Sequence, residues 1–247
     1  MVDGKGRAAA VLVANARTRG ALPRSARKVP IVEMVENGVD LSTFQRRDRE
    51  PSGPARFAFV GRLVDWKRVD LLLDAMLQVP AGYLLEVIGA GPLSGELQRQ
   101  AERLGLGDRV TFHGLLSQSS TAAVLGSCDG LVLPSIYECG GAVVLEAMAV
   151  GLPVVAADWG GPADYIQHDV TGMLVSPTNP EELTAGLAAG MTRLGEDRAL
   201  GQKMGGAGRL RVEAEFDWVR KVDAMCEVYL NATEKKIQGI NALETAQ

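Results

Sequence analysis

The stretch ARFAFVGRLVDWKRVDLLLDAMLQVPAGYLLEVIGAGP, residues 55–92, decides the fold. Residues 57–60 form a short, wholly apolar run stopped by Gly61, as in a strand covered on both faces. Val69, Leu72, Leu73, Met76 and Leu77 then recur at helical spacing, which predicts a helix over 67–78. Residues 83–88 repeat the strand pattern and end at Gly89. Strand, helix and strand in this order make a βαβ unit with parallel strands.

The same rhythm continues in both directions. Downstream it predicts a helix over 93–104, a strand at 109–112, a helix over 118–125 and a strand at 130–133. A helix over 143–150, opened by Gly140-Gly141, and a buried strand at 153–156 follow. After about Pro180 the pattern is helical only, ending in a helix over 218–230. Upstream, residues 9–14 and 30–35 read as strands around a polar, basic helix or loop. Asn37-Gly38 makes a turn, and the polar stretch 45–54, charged from Arg46 onward, reads as an exposed linker. The fold class is therefore α/β: a Rossmann-like parallel sheet with helices on both faces and a helical carboxyl-terminal extension. The expected divisions are 1–54, 55–214 and 215–247.

Composition narrows the function. The 247 residues are 47% hydrophobic, 23% charged and 5% aromatic, the profile of a compact globular protein. The longest apolar run, 143–157, contains Glu146 and Pro153 and falls short of the ~20 residues a membrane span needs. No signal peptide opens the chain, so a cytoplasmic protein is expected, with a membrane-peripheral placement compatible. The net charge is −4, but residues 1–50 carry a basic surplus of four. Their cluster Arg17, Arg19, Arg24, Arg27 and Lys28 reads as a solvated face. It lacks the interleaved aromatics of a nucleic-acid footprint, so no nucleic-acid partner is expected. Cys128, Cys139 and Cys226, widely spaced and odd in number, support neither a disulfide framework nor a zinc site. The histidines are only two, His113 and His168, too few for a histidine-rich metal centre.

An open parallel sheet binds ligands outside the carboxyl ends of its strands, and four such ends are conspicuous. Gly61 and Arg62 follow the first, with Lys67 at the start of the next helix. An Arg fork and a Lys point charge suit a diphosphate, and Gly61 lets a ligand or another backbone approach closely. Ion pairing of these cations with Asp65 or Asp70 is the competing reading. At the second end, Gly89-Ala90-Gly91 starts like a dinucleotide fingerprint. The third glycine is missing, however: position 94 is Ser94 and Gly95 is one late, so a tight turn explains it better. At the third, His113-Gly114 offers a general base or, more readily, a hydrogen-bonded structural histidine. The fourth is the most specific: SIYECGGAVVLEAMA, residues 135–149. Glu138 stands in the loop before a helix whose free amides near Gly140 and Gly141 make an anion site. Glu146, on an otherwise apolar helix, is costly unless it finds a partner, and a ribose diol would satisfy its two oxygens. A pair of surface glutamates is the alternative.

With these residues the chain resembles the glycosyltransferase family 4 (group 1) enzymes of GT-B fold, over about residues 35–229. The resemblance rests on Asn37-Gly38-Val39-Asp40, Val60-Gly61-Arg62 with Lys67, Ile88-Gly89-Ala90-Gly91-Pro92, Phe112-His113-Gly114 and the paired Glu138 and Glu146. Gly151-Leu152-Pro153-Val154-Val155 and Gly160-Gly161-Pro162 complete it. It implies a nucleotide-sugar-binding half of a GT-B enzyme that transfers a hexosyl group from a UDP-, GDP- or ADP-sugar with retention and without a metal or other cofactor. Catalysis is implied for Glu138, Arg62 and Lys67. Arg62 and Lys67 would hold the diphosphate beside Gly61 and Gly89, Glu138 the sugar hydroxyls, and Glu146 the ribose. The amides around Gly140, Gly141, Ala142 and Val143 would face the diphosphate, and the turn at His113 and Gly114 the base. The acceptor (glycan, lipid or small molecule) would be handled by an amino-terminal domain of which residues 1–35 look like the tail; a separate chain could supply it. Two positions depart from the family pattern: Arg68 replaces a usual glycine and Gly140 a common aromatic. The alternatives are a non-catalytic nucleotide-sugar-binding or regulatory subunit and, resting on Gly89, a nicotinamide-dependent oxidoreductase.

Overall fold

The structure, a computed structural model, describes residues 8–46 and 52–244, with side chains as far as residue 234. Its contacts divide the chain into two units, one built from residues up to Gly38 and from Asp217 onward, the other from Val39 to Phe216. In the first unit, β1 (Val11–Val13) and β2 (Ile31–Glu33) pair in parallel, connected through α1 (Ala16–Gly20) and a 3₁₀ turn at Ala26–Lys28. Asn15 caps α1, its Oδ1 accepting from the Thr18 N–H at 2.9 Å. Arg17, Arg19, Arg24, Arg27 and Lys28 are all exposed, as a solvated face requires.

The second unit holds a six-stranded sheet. Its strands are β3 (Arg56–Val60), β4 (Leu84–Ile88), β5 (Val110–Gly114), β6 (Gly130–Leu133), β7 (Val154–Ala157) and β8 (Gly172–Val175). Every pairing is parallel, and the order is β5-β4-β3-β6-β7-β8. Phe57, Ala58 and Phe59 of β3 and all of β6 and β7 are buried, which is why these strands read as unbroken apolar runs. The intervening helices are α2 (Val69–Ala75), α3 (Ser94–Arg103), α4 (Gln118–Leu125), α5 (Ala142–Ala149) and α6 (Gly161–Tyr165). They are followed by α7 (Pro180–Glu196) and α8 (Arg198–Glu215). Helix α7 packs on α2 and α8 packs on α5, so the sheet is covered on both faces. In the first unit, α9 (Trp218–Glu244) is the long terminal helix.

The expected Rossmann-like architecture is thus observed, with local differences. Helix α2 does not begin at 67. A 3₁₀ turn at Asp65–Lys67 precedes it, and Arg68 between them is left-handed at φ 49°. Val69, Leu72, Leu73 and Met76 are buried as the spacing required, but Leu77 is exposed. Strand β8 and helix α6 escaped the sequence reading because both are short. Helix α9 outruns its expected end at 230. Of the expected linker at 45–54, residues 47–51 lie outside the described residues. Val39 donates to the Phe216 carbonyl at 2.9 Å, and Val39 and Phe44 are buried, so the chain joins the sheet unit well before residue 55. In the Asn37-Gly38-Val39-Asp40 motif, the Asp40 carboxylate accepts from the hydroxyls of Ser42 and Thr43 at 2.7 and 2.6 Å. Those bonds favour the charged form and lower its pKa to about 2.

The glycines of 89–91 serve the sheet. Gly61 donates to the Ile88 carbonyl at 3.0 Å, Leu63 to Ala90 at 3.1 Å, and Gly89 to Gly114 at 2.8 Å. The ends of β3, β4 and β5 therefore stay laced together beyond the strands proper. Gly89 sits at φ 130°, and a Cβ there would lie 1.9 Å from the Gly61 carbonyl oxygen. Gly89→Ala combines backbone strain with a backbone clash and should cost about 3 kcal/mol or more, lowering the melting temperature by roughly 6–12 °C. Gly107→Ala meets nothing within 4 Å and should stay within about 0.5 kcal/mol. Thermal denaturation of the two variants side by side checks the contrast.

Candidate functional site

The strand order reverses between β3 and β6, and the crevice at their carboxyl ends is where an open α/β sheet takes a ligand. The loop after β3 brings Gly61, Arg62 and Lys67 to this point, and the loop after β6 brings Glu138, Gly140 and Gly141. Two links join these loops. Ile136 donates to the Trp66 carbonyl at 3.0 Å, and the Lys67 ammonium pairs with the Glu138 carboxylate, both side chains largely buried. The other oxygen of Glu138 accepts from the Gly141 N–H at 3.1 Å. Lys67 thus pairs with neither Asp65 nor Asp70; Arg68 takes Asp70 instead, at 3.0 Å. Arg62 is exposed, and its side chain bonds to no described residue.

The Glu138 loop is itself held from behind. Gly161 donates to the Glu138 carbonyl at 3.2 Å, and a Cβ on Gly160, at φ 65°, would lie 1.8 Å from that same oxygen. Gly160-Gly161 therefore lets α6 start directly against the loop. Gly141, also left-handed at φ 65°, opens α5, and the amides of Ala142 and Val143 form its first turn.

Glu146 lies on α5 among Val144, Leu145, Ala147 and Met148, all fully buried. Its carboxylate is mostly buried and bonds to no described residue, and burial raises its pKa above the ordinary value. Near it in the chain, at the carboxyl end of β6, Ser135 is 1% exposed and its hydroxyl also has no partner among the described residues. Sequence reasoning gave Ser135 no role; the available signal was a small hydroxyl residue closing a buried strand.

The remaining candidates divide differently. The His113 ring bonds Glu86 at 2.7 Å, and Glu86 also pairs with Arg56, so this histidine ties β5 to β4 in the structural role weighed for it. Gly114 turns the chain at φ 67° after β5. Gly89 lies directly against the Gly61 backbone, with no room for a Cβ between them. Among the described residues no group of three or more His, Cys, Asp or Glu could hold a metal ion, and no helix is long and apolar enough to cross a membrane.

A family model for glycosyl transferases group 1 matches residues 42–211, which include every one of these site residues. The chain belongs to the group 1 glycosyltransferases. It is 33% identical to a glycogen synthase of Mycobacterium tuberculosis over 208 residues, covering 81% of this chain and 49% of that protein. This glycosyltransferase chain thus spans about half the length of that relative. Among solved structures, sucrose-phosphate synthase from Thermosynechococcus elongatus aligns with a TM-score of 0.78 at 28% identity, over 92% of this chain and 59% of that one. Anabaena HepE, in complex with UDP and glucose, aligns with a TM-score of 0.74 at 25% identity, over 90% and 63%. The sheet unit accordingly shares its Rossmann-like architecture with glycosyltransferases of GT-B fold.

Two predictions follow from side-chain environments in this glycosyltransferase. Because the folded state raises the pKa of Glu146, its charged form costs stability at neutral pH, and the cost fades as the pH falls through that raised value. Glu146→Gln should therefore raise the melting temperature at pH 7, with the gain shrinking towards pH 4.5, the ordinary carboxyl value. Melting curves across that range test the sign. The cysteines give the second. Cys128 is buried, which pushes its thiol up to about 12, while Cys139 and Cys226 are exposed. Alkylation at neutral pH should modify Cys139 and Cys226 and spare Cys128 until the protein unfolds, as peptide mass mapping would show.

Proposed function

We propose that this chain is the donor-binding half of a retaining glycosyltransferase that transfers a hexosyl group from a nucleoside diphospho-sugar without a metal. The observation that carries the reading is Glu146, a largely buried carboxylate with no described partner, on the helix that opens at the sheet's switch point. A bound ligand would offset the cost of keeping such a group in the fold, and the two hydroxyls of a ribose fit its two oxygens. The complex of HepE with UDP and glucose supports the reading.

In this reading Arg62 and Lys67 hold the diphosphate. As the bond from the sugar carbon to the phosphate oxygen breaks, negative charge grows on the departing phosphate, and the two side-chain cations offset it where a metal ion would otherwise serve. The first amides of α5, at Gly141, Ala142 and Val143, add dipoles of the same sign. Glu138 bonds sugar hydroxyls, and the turn at Gly114 faces the base. The acceptor, a glycan, lipid or small molecule, and the groups that activate it belong to an amino-terminal domain, on this or a separate polypeptide.

Calorimetry with UDP, GDP, ADP and their sugars tests the site. One of the three series should bind. Glu146→Gln should weaken nucleoside diphosphate and nucleotide-sugar alike, by about tenfold or more, although the same change stabilises the free protein. Arg62→Ala should weaken both diphosphate ligands but leave the bare nucleoside unaffected. Equal losses for nucleoside and diphosphate in Arg62→Ala, or no binding in any series, would overturn the assignment.

A further inference from the structure

Two of the anion-binding groups of the crevice are already engaged by an anion. The Glu138 carboxylate takes the Lys67 ammonium with one oxygen and the N–H of Gly141, where α5 opens, with the other. These are the groups that would hold a phosphate, and both side chains of the pair are largely removed from solvent, at 15% and 12% exposure. A carboxylate and a phosphate cannot both stay there charged without strong repulsion. The Glu138 backbone is held by the Gly161 N–H, and Lys67 ends a 3₁₀ turn whose Trp66 carbonyl accepts from Ile136, so it is the Glu138 side chain that must turn for a phosphate to enter.

Resting on the donor-site reading, we infer that Glu138 is a built-in competitor for the donor's phosphate, and that this competition selects sugar-bearing donor over spent nucleotide. The incoming diphosphate replaces the carboxylate on Lys67 and Gly141. The displaced carboxylate must then find new hydrogen-bond donors or remain half-buried, charged and unpaired beside a dianion. A nucleotide-sugar supplies those donors as sugar hydroxyls; a bare nucleoside diphosphate supplies none. Once the sugar has left, Glu138 regains its lowest free energy by returning to Lys67, which drives the nucleotide out. Glu138 is thereby a specificity-determining residue on the binding side and a product-release device on the other.

The test uses inorganic pyrophosphate, the nucleoside diphosphate that the wild-type chain binds, and its sugar derivative. Each is titrated into wild type, Glu138→Gln, Lys67→Met and the double variant. Glutamine keeps the acceptor for the Gly141 N–H and removes only the charge. Glu138→Gln should bind pyrophosphate and nucleoside diphosphate about fivefold or more tighter than wild type, and its preference for the sugar-bearing ligand should fall by about tenfold. The gain should be absent when Lys67→Met is already present, because no cation is left to release. In wild-type protein carrying ¹³C-labelled glutamate, the Glu138 Cδ resonance should move as pyrophosphate binds, a readout that does not require the variant to fold. Tighter binding by Glu138→Gln with that resonance shift supports the inference. Unchanged or weaker diphosphate binding by a folded Glu138→Gln, or an unmoved resonance while pyrophosphate binds, overturns it and leaves the donor site standing. If neither wild type nor variant binds any of the three, the donor reading falls and this inference falls with it.

Discussion

Strand β3 hydrogen-bonds β4 on one flank and β6 on the other, and the site depends on that reversal. Connections running outward from a central strand in both directions leave a gap at the carboxyl ends, because the two following loops turn away from each other. Here the gap is bounded by the Arg62–Lys67 loop on one side and by the Glu138–Gly141 loop on the other. The backbone bond from Ile136 to Trp66 keeps those loops in contact. Without the reversal the cations and the carboxylates would lie on separate strand ends and share nothing.

The helix that follows is restrained at both ends. At its amino end, the loop leading into Gly141 is backed by Gly160 and Gly161. At its carboxyl end, the Arg209 guanidinium donates to the Ala149 carbonyl, and also to the Phe44 carbonyl at 3.0 Å. A cation there satisfies a carbonyl that the helix leaves open and complements its dipole. Glu146 is thus carried on a fixed element, whereas Glu138 is carried on a loop, which matches the different demands of a ribose and a departing sugar.

The central strands and their helices were legible because their apolar runs and helical spacings are strong and their burial nearly complete. The carboxylate pair was legible for a related reason: a glutamate inside Val144-Leu145 and Ala147-Met148 contradicts its surroundings. Strand β8 was not legible, since four residues at a sheet edge, two of them only partly buried, carry little pattern. Nor was the true start of α2, which depends on a left-handed backbone at Arg68. That conformation is one glycine adopts freely, and the sequence shows only an arginine there. The Lys67–Glu138 pair was beyond reach because 71 residues separate its members. The sequence points the two residues to different parts of one ligand, and only the folded loops show them meeting.

The small parallel sheet of β1 and β2 has a consequence for how the protein behaves in concentrated solution. Among the described residues these strands pair only with each other, so both are edge strands. Leu12 on β1 is exposed, as are Trp218 and Val222 on α9, and these side chains line one cavity with Met34. Edge backbone beside exposed apolar surface is what strands of neighbouring molecules add to, and the exposed basic cluster around Arg17 and Arg27 is what keeps like molecules apart. Salt screens that repulsion within ~10 Å at 0.1 M while leaving the apolar attraction intact. The smaller unit is therefore where strand addition between copies is expected, and it is the screening of its own basic cluster that would favour it.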